Sequence, residues 1–344
     1  MMKKWTAGLL CLLTALALMT GCVKKPPKQK IAMVTDSMAV SDNHLNQSVW
    51  RGGLLKLEED YNADVNFYRP QNYDEEEYMT GVKTLVEAGY NVIVLGGRVF
   101  TDTLLRACET WPGVTFIGVD SEVETVPSNA VVAVFDKAEA GFLAGAAAAM
   151  ELGDVRFGGV AGQNAAPDEE LLSGFLQGAA YAGVTPDRAD FVAVGDPLNF
   201  PLGQQATARL VESGVQCLLV SSDPTGLGAA AELRVRASMG ADVRMVGCEA
   251  DYWNTASYYV DDEQRSPVVT SAWCSYGEAV RQIVVDLIEG DEPLGRFRLF
   301  DVNSGAVGLP EENPNLSPET LEKCEALLEQ LKSGEIVVAA ETNK

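Results

Sequence analysis

Short runs rich in valine, isoleucine and alanine recur along this chain of 344 residues, most of them followed by an amphipathic segment of helix length. Such a run suits a strand buried on both faces, and the helices between runs are the crossovers that parallel strands need. Strands are expected over residues 30–35, 63–68, 92–95, 114–119, 131–135, 155–160, 191–194, 217–221, 243–247 and 267–271. Helices are expected over 47–60, 75–88, 138–152, 169–182 and 204–213. One further helix is marked at both ends. Ser317 caps it, Pro318 suits its first turn, Leu321, Cys324, Leu328 and Leu331 share a face, and Gly334 ends it. The succession runs once up to about residue 137 and again from 138. The chain therefore reads as two doubly wound α/β lobes with parallel sheets and a cleft between them.

The first residues precede this pattern. Lys3 and Lys4 lead an uncharged apolar run from Trp5 to Met19, and Thr20-Gly21-Cys22 follows. That order describes a secretory signal peptide over residues 1–21, and a cysteine directly after a small residue marks a bacterial lipobox with Cys22 as acyl acceptor. An uncleaved anchor is the other reading, since the run approaches the ~20 residues that span a bilayer. Either one places the rest of the chain on the outer face of the cell membrane. Residues 22–30 include two prolines and four lysines and read as a lipidated tether. Proline favours an extended chain, and each lysine near anionic lipid adds about 1 kcal/mol of attraction.

The remainder is acidic. A formal charge of −23 repels nucleic acid, and no basic patch interleaved with aromatics stands against it. Cys108, Cys217, Cys248, Cys274 and Cys324 are widely spaced, lack a C-x-x-C pair and sit mostly in apolar runs. Buried thiols fit that pattern better than a disulfide framework or a metal site. Catalysis finds little support: His44 is the one histidine, and no G-x-S-x-G elbow occurs. Gly226-x-Gly228-x-x-Ala231, with Glu249 further on, fits a dinucleotide fingerprint. Its place deep in the second lobe and the export signal favour a tight turn and close helix packing instead. His44 reads as a surface-loop residue, with a ligand contact as the alternative. No enzyme activity, cofactor or metal is expected.

Open parallel sheets bind ligands beyond the carboxyl ends of their strands. Here Asp36 and Ser37 follow the first strand, Gly97 the third, Asp120 the fourth, Gln163 the sixth, Asp223 the eighth, and Glu249 and Asp251 the ninth. Any one of these suits a turn or a helix cap. Carboxylates and amides recurring at strand ends in both halves suit a hydroxyl-rich ligand, because a charge-assisted hydrogen bond contributes about 1.5–3 kcal/mol.

The stretch from Lys30 through Asp36-Ser37, with Asp42, Asn46-Gln47-Ser48 and Trp50, resembles the opening of the basic membrane protein family. These are lipoproteins that bind purine nucleosides for ABC transporters. Further likenesses follow in order: Tyr90-Asn-Val-Ile-Val, Phe116-Ile-Gly-Val-Asp120, Phe135 with Glu139 and Phe142-Leu-Ala-Gly145, and Gly174-Phe175 with Gly178. Thr225-Gly-Leu-Gly228, Thr270-Ser271 and Ser304-Gly-Ala-Val-Gly308 complete them, so the likeness spans nearly all of the chain beyond the tether. The resemblance implies a type I periplasmic-binding-protein fold whose lobes are joined by three crossovers. Residues 31–137 plus about 265–293 would form one lobe, and 138–264 plus about 294–340 the other. It implies ligand contacts at Asp36, Asn46, Asp120, Glu249 and Asp251. Leu45 stands where the family has an aromatic that stacks on the purine, and Met38 where it has glycine. Trp273-Cys274-Ser275 stand where a lysine reaches the ribose. Phe200 is the nearest counterpart of a second stacking ring, and Trp273 a substitute for the first.

The expectation is thus a non-catalytic, extracytoplasmic solute-binding lipoprotein of an ABC importer, which closes on a nucleoside or nucleoside-like ligand and passes it to a membrane permease. A sugar or other small polar ligand is the alternative within binding. A sensor subunit that presents its ligand to a membrane receptor is the alternative outside transport.

Overall fold

The computed structural model describes residues 29–339, apart from 37, 38, 43, 164 and 165 and the side chains of 166–168. The expected signal, the Cys22 lipidation site, most of the tether and Ser37 lie outside the described residues.

The β-branched runs of the first half pair in parallel as β1 (Lys30–Val34), β2 (Asp64–Tyr68), β3 (Val92–Gly96), β4 (Thr115–Val119) and β5 (Ala130–Phe135). Those of the second half do the same as β6 (Phe157–Ala161), β7 (Phe191–Ala193), β8 (Cys217–Val220), β9 (Arg244–Glu249) and β12 (Val268–Cys274). Between β9 and β12, β10 (Tyr258–Val260) and β11 (Glu263–Arg265) form a separate antiparallel hairpin. β13 (Arg296–Phe300) and β14 (Val307–Gly308) add the last edges, giving sheet orders β13-β5-β4-β3-β1-β2 and β14-β12-β9-β8-β6-β7. The two orders match position for position, so β4 corresponds to β9 and β5 to β12. Helices cover both faces of each sheet, which is why β3 and β8 are buried along their whole length and read as unbroken apolar runs.

The first lobe carries α1, which runs as an α-turn (Leu45–Gln47), a π-helical stretch (Ser48–Leu54) and an α-helix (Leu55–Tyr61), then α2 (Glu75–Glu87) and α3 (Thr101–Thr110). The second carries α4 (Lys137–Leu152), α5 (Ala166–Tyr181), α6 (Phe200–Glu212) and α7 (Pro224–Ser238). α8 (Tyr276–Glu289) packs on α1 in the first lobe, and α9 (Pro318–Lys332) on α4 in the second. Each of α4, α7, α8 and α9 begins on an acidic or serine cap, respectively Asp136, Asp223, Ser275 and Ser317.

The chain passes between the lobes after β5, after β12 and after β13. The backbone N–H of Asp136 donates to Phe300 O at 2.8 Å and that of Ser275 to Ala306 O at 2.7 Å, so the crossovers lie side by side. The expected lobe boundaries need correcting here. β12 lies in the second sheet, hydrogen-bonded to β9, so the return to the first lobe begins with Tyr276 and not near residue 265. It lasts through β13, paired with β5, and not only to about 293. The strand 296–300 escaped notice because Arg296 and Arg298 interrupt its apolar residues, as an edge strand permits.

Candidate functional site

The loop after β1 turns back into α1, and one carboxylate organises it. Asp42 accepts from the backbone N–H groups of His44 (3.0 Å), Asn46 (2.9 Å) and Gln47 (2.8 Å) and from Asn46 Nδ2 (2.9 Å). These are the orphan donors of a helix N-terminus, so Asp42 serves as an extended cap. Its role is to aim Asn46, whose Nδ2 also donates to Asp36 Oδ1 at 2.6 Å. Leu45 sits in the core with its Cδ2 over Gly96, where a Cβ would come within 2.3 Å of it.

A second constellation joins the lobes. Asp120 and Glu249 end the corresponding strands β4 and β9, both in the left-handed backbone region, with φ of 54° and 65°. That conformation is uncommon outside glycine, asparagine and aspartate, and strain held at matching places in two sheets points to a built site. Lys137, the first residue of α4, lies 2 % exposed between them. Its Nζ donates to Asp120 Oδ2 at 2.9 Å and to Glu249 Oε1. Ser222 Oγ donates to Glu249 Oε2 at 2.6 Å, and His44 Nε2 stands 3.4 Å from the same oxygen. Burial alone would raise the Glu249 pKa, but the Lys137 ammonium, with His44 beside it, outweighs burial and holds the carboxyl well below its usual range. Burial would likewise lower Lys137, and the Glu249 and Asp120 charges raise it instead. Tyr276 occupies in α8 the place that Lys137 occupies in α4. Burial, with Glu249 and Asp120 nearby, pushes its hydroxyl well above the usual value.

A cleft of about 260 Å³ opens beside this cluster, bounded by His44, Gln47 and Arg51 from the first lobe's α1 segment and by Glu249, Asp251 and Trp273 from the second lobe. A larger groove of about 350 Å³ lies wholly within the second lobe, between β6–β8 and α5, and takes in Gln163. A site that works by lobe closure must touch both lobes, which favours the smaller cleft. Among the described residues no cluster of His, Cys, Asp and Glu has the makings of a metal site, and the five cysteines there are buried and form no disulfide with one another.

The sequence-derived residues thus divide. Asp36 and Asn46 meet on the first lobe, and Asp120 and Glu249 meet through Lys137. Asp251 and Trp273 line the cleft, Asp251 also accepting from its neighbour Trp253 N at 2.9 Å. Asp223 is occupied otherwise: it caps α7 through Gly226 N (2.8 Å) and accepts from Ser221 Oγ and Gly162 N. Gly97, at φ 97°, donates its N–H to Val119 O and turns the chain after β3. Phe200 opens α6 and is half exposed, outside the cleft lining. Gly226 and Gly228 meet the Ser221 and Phe200 carbonyls, where a Cβ would lie 1.8 and 2.1 Å away, so those glycines serve packing. Lys137, Tyr276 and Arg51 were missed, and His44 reaches Glu249 instead of lying on a surface loop. The buried start of two matching helices was the only available signal for the first two.

Two doubly wound lobes, three adjacent crossovers and a polar cleft between strand ends define the type I class of periplasmic solute-binding proteins. A crystal structure of an ABC transporter solute-binding protein from Aeropyrum pernix K1 superposes with a TM-score of 0.72 at 19 % identity, over 92 % of this chain and 94 % of that one. Residues 28–342 match the family described as ABC transporter substrate-binding protein PnrA-like, and the chain belongs to it. Relatives include a CD4+ T-cell-stimulating antigen of Listeria innocua, 26 % identical over 90 % of this chain and 87 % of that protein. Another is the ABC transporter nucleoside-binding protein BmpA of Lactococcus lactis subsp. cremoris, 24 % identical over 83 % of this chain and 82 % of its own.

Proposed function

We propose that this substrate-binding protein is a lipid-anchored, extracytoplasmic component of an ABC importer and captures a nucleoside or nucleoside-like ligand between its lobes. The observation that carries the reading is the convergence of polar groups from both lobes on one cleft: His44, Gln47 and Arg51 on one side, and Glu249 and Asp251 on the other. A ligand with several hydroxyls can bond to polar side chains on both lobes at once, and a ligand that touches both selects the closed state by its extra contacts there. The volume, about 260 Å³, lies just below the range of roughly 300–1,000 Å³ usual for small-molecule sites and suits a small ligand. The nucleoside assignment leans on the family and on the printed name of the Lactococcus relative.

Leu45 favours a second reading. With that side chain packed over Gly96, the place of one stacking ring is filled by core, and a sugar-like ligand without a base fits what remains. Thermal unfolding of the full chain in detergent with adenosine, guanosine, inosine and a panel of free sugars separates the two. A ligand at about 100 times its Kd adds roughly 2.7 kcal/mol of stability. A melting temperature unmoved by millimolar nucleosides but raised by a sugar would replace the first reading with the second.

A further inference from the structure

We infer that lobe closure in this chain is coupled to protonation of its one histidine, His44, through a contact with Glu249 made only when the lobes meet, so that ligand capture strengthens in mildly acidic surroundings. The inference rests on the binding-protein reading of the cleft but not on the identity of the ligand.

The geometry supplies the asymmetry that coupling requires. Glu249 ends β9 of the second lobe, and Lys137 and Ser222, which hold its two oxygens, belong to that lobe's α4 and to the segment after β8. His44 comes from the other lobe, just ahead of α1, and brings Nε2 to 3.4 Å from Glu249 Oε2. That nitrogen is buried, and Glu249 Oε2 is the oxygen it faces. A neutral imidazole presenting a lone pair there would be repelled, whereas a protonated one is attracted. Every element packed around the ring contributes: Asp42 from its own loop, Lys137 from α4, Glu249 from β9, and the Tyr276 ring of α8 edge-on with centroids 5.7 Å apart.

Direction follows from these charges. Burial would push the His44 pKa down, but its side chain keeps 24 % exposure, and Glu249 and Asp42 outweigh burial and the Lys137 charge to hold it above its ordinary value. Opening the lobes removes Glu249 together with the burial and the Lys137 charge that work against it, and the coupling requires that the loss of the Glu249 contact prevail, so that the open state binds the proton less tightly. Closure therefore takes up protons. It is favoured below the open-state pKa and loses that support as pH rises through the closed-state pKa.

A single histidine makes the test direct. The full chain, purified in detergent without a histidine tag, gives one imidazole resonance whose midpoint can be followed by NMR. The expected midpoint lies above the value of about 6.5 for an exposed imidazole and falls by about one pH unit in Glu249→Gln. Lobe separation is read from the distance between spin labels at Val99→Cys and Leu198→Cys, exposed residues following β3 and β7, in a Cys11→Ser, Cys22→Ser background. That distance should shorten between about pH 8.5 and about pH 5.5, a span bracketing the imidazole pKa, and should not respond to pH in His44→Gln. A midpoint at or below that of an exposed imidazole overturns the coupling, as does a constant distance or a pH response that survives His44→Gln. Should Glu249→Gln fail to fold, the parent midpoint and the His44→Gln comparison still decide. Neither readout uses a ligand, so a failure here is distinct from a failure of the nucleoside titration.

Discussion

Lys137 enters α4 with its ammonium between two carboxylates from different sheets, and its removal leaves Glu249 with only the His44 imidazole opposite it in a buried site. Breaking such a group from one side costs about 3–5 kcal/mol, so Lys137→Met should lower the urea midpoint by that equivalent. The pH dependence should also weaken. In the parent, Glu249 is depressed below its unfolded value, so its contribution is present above about pH 4.3 and is lost as pH falls through the folded pKa. In Lys137→Met only His44 still opposes burial, so the folded pKa moves up toward the unfolded one, and mild acidification should destabilise the variant less than the parent. Urea midpoints from about pH 4 to 7, the span over which buried carboxyls titrate, check this; parallel slopes in the two proteins would contradict it. Leu45→Phe tests the packing described above. With Leu45 Cδ2 already over Gly96, the larger ring should overfill the site and cost about 1–3 kcal/mol in thermal unfolding, and unchanged stability would place the side chain in open space. Asp36 and Glu249 could be placed at strand ends from local pattern alone, whereas Asn46 came only from the family resemblance. Lys137 was not legible, since a lysine at a helix start reads as solvated and its partner Glu249 lies 112 residues away. Asp223 misled for the opposite reason: its carboxylate is consumed within three residues by the helix that it caps.

At the scale of elements, α4 and α5 approach so closely that their glycines touch the opposing backbone. A Cβ on Gly178 would come within 1.9 Å of Phe142 O, and one on Gly145 within 2.1 Å of Phe175 O. The Phe142-Leu-Ala-Gly145 and Gly174-Phe175 segments that mark the family resemblance are therefore packing devices, and ligand contact is not required to explain them. Gly178→Ala should force the pair apart and cost at least the 1–3 kcal/mol of ordinary overpacking, because the obstruction is backbone and cannot rotate away. Calorimetric melting of the variant measures this, and a shift no larger than that of an exposed alanine substitution would count against the close approach. The strands and helices were readable where burial on both faces left unbroken apolar runs. The β14 strand, two residues long, and the charged edge strand β13 carried too little pattern to register.

The whole molecule turns on how its crossovers are held together. Two sheets and a cleft could be read from the repeated strand–helix succession, but the boundaries between lobes could not. Which sheet a strand joins is decided by hydrogen bonds to partners far along the chain, and neither β12 nor β13 discloses its partner in its local pattern. One side chain stitches this region: Glu139, in the first turn of α4, accepts the backbone N–H of Val302 at 2.9 Å from the third crossover. Burial raises its pKa, opposed by that same N–H, so the folded protein gains the hydrogen bond while bearing a carboxylate that is easier to protonate than usual. Two substitutions separate these effects. Glu139→Ala leaves the Val302 N–H unpaired and should cost about 1–3 kcal/mol in urea unfolding. Glu139→Gln keeps an acceptor and removes the half-buried charge, so at neutral pH it should match or exceed the parent. Because the bond ties the first crossover to the third, Glu139→Ala should also broaden the distance between spin labels placed on the two lobes, while Glu139→Gln should not. Equal destabilisation by both substitutions would mean that the charge, and not the hinge hydrogen bond, is what this residue contributes.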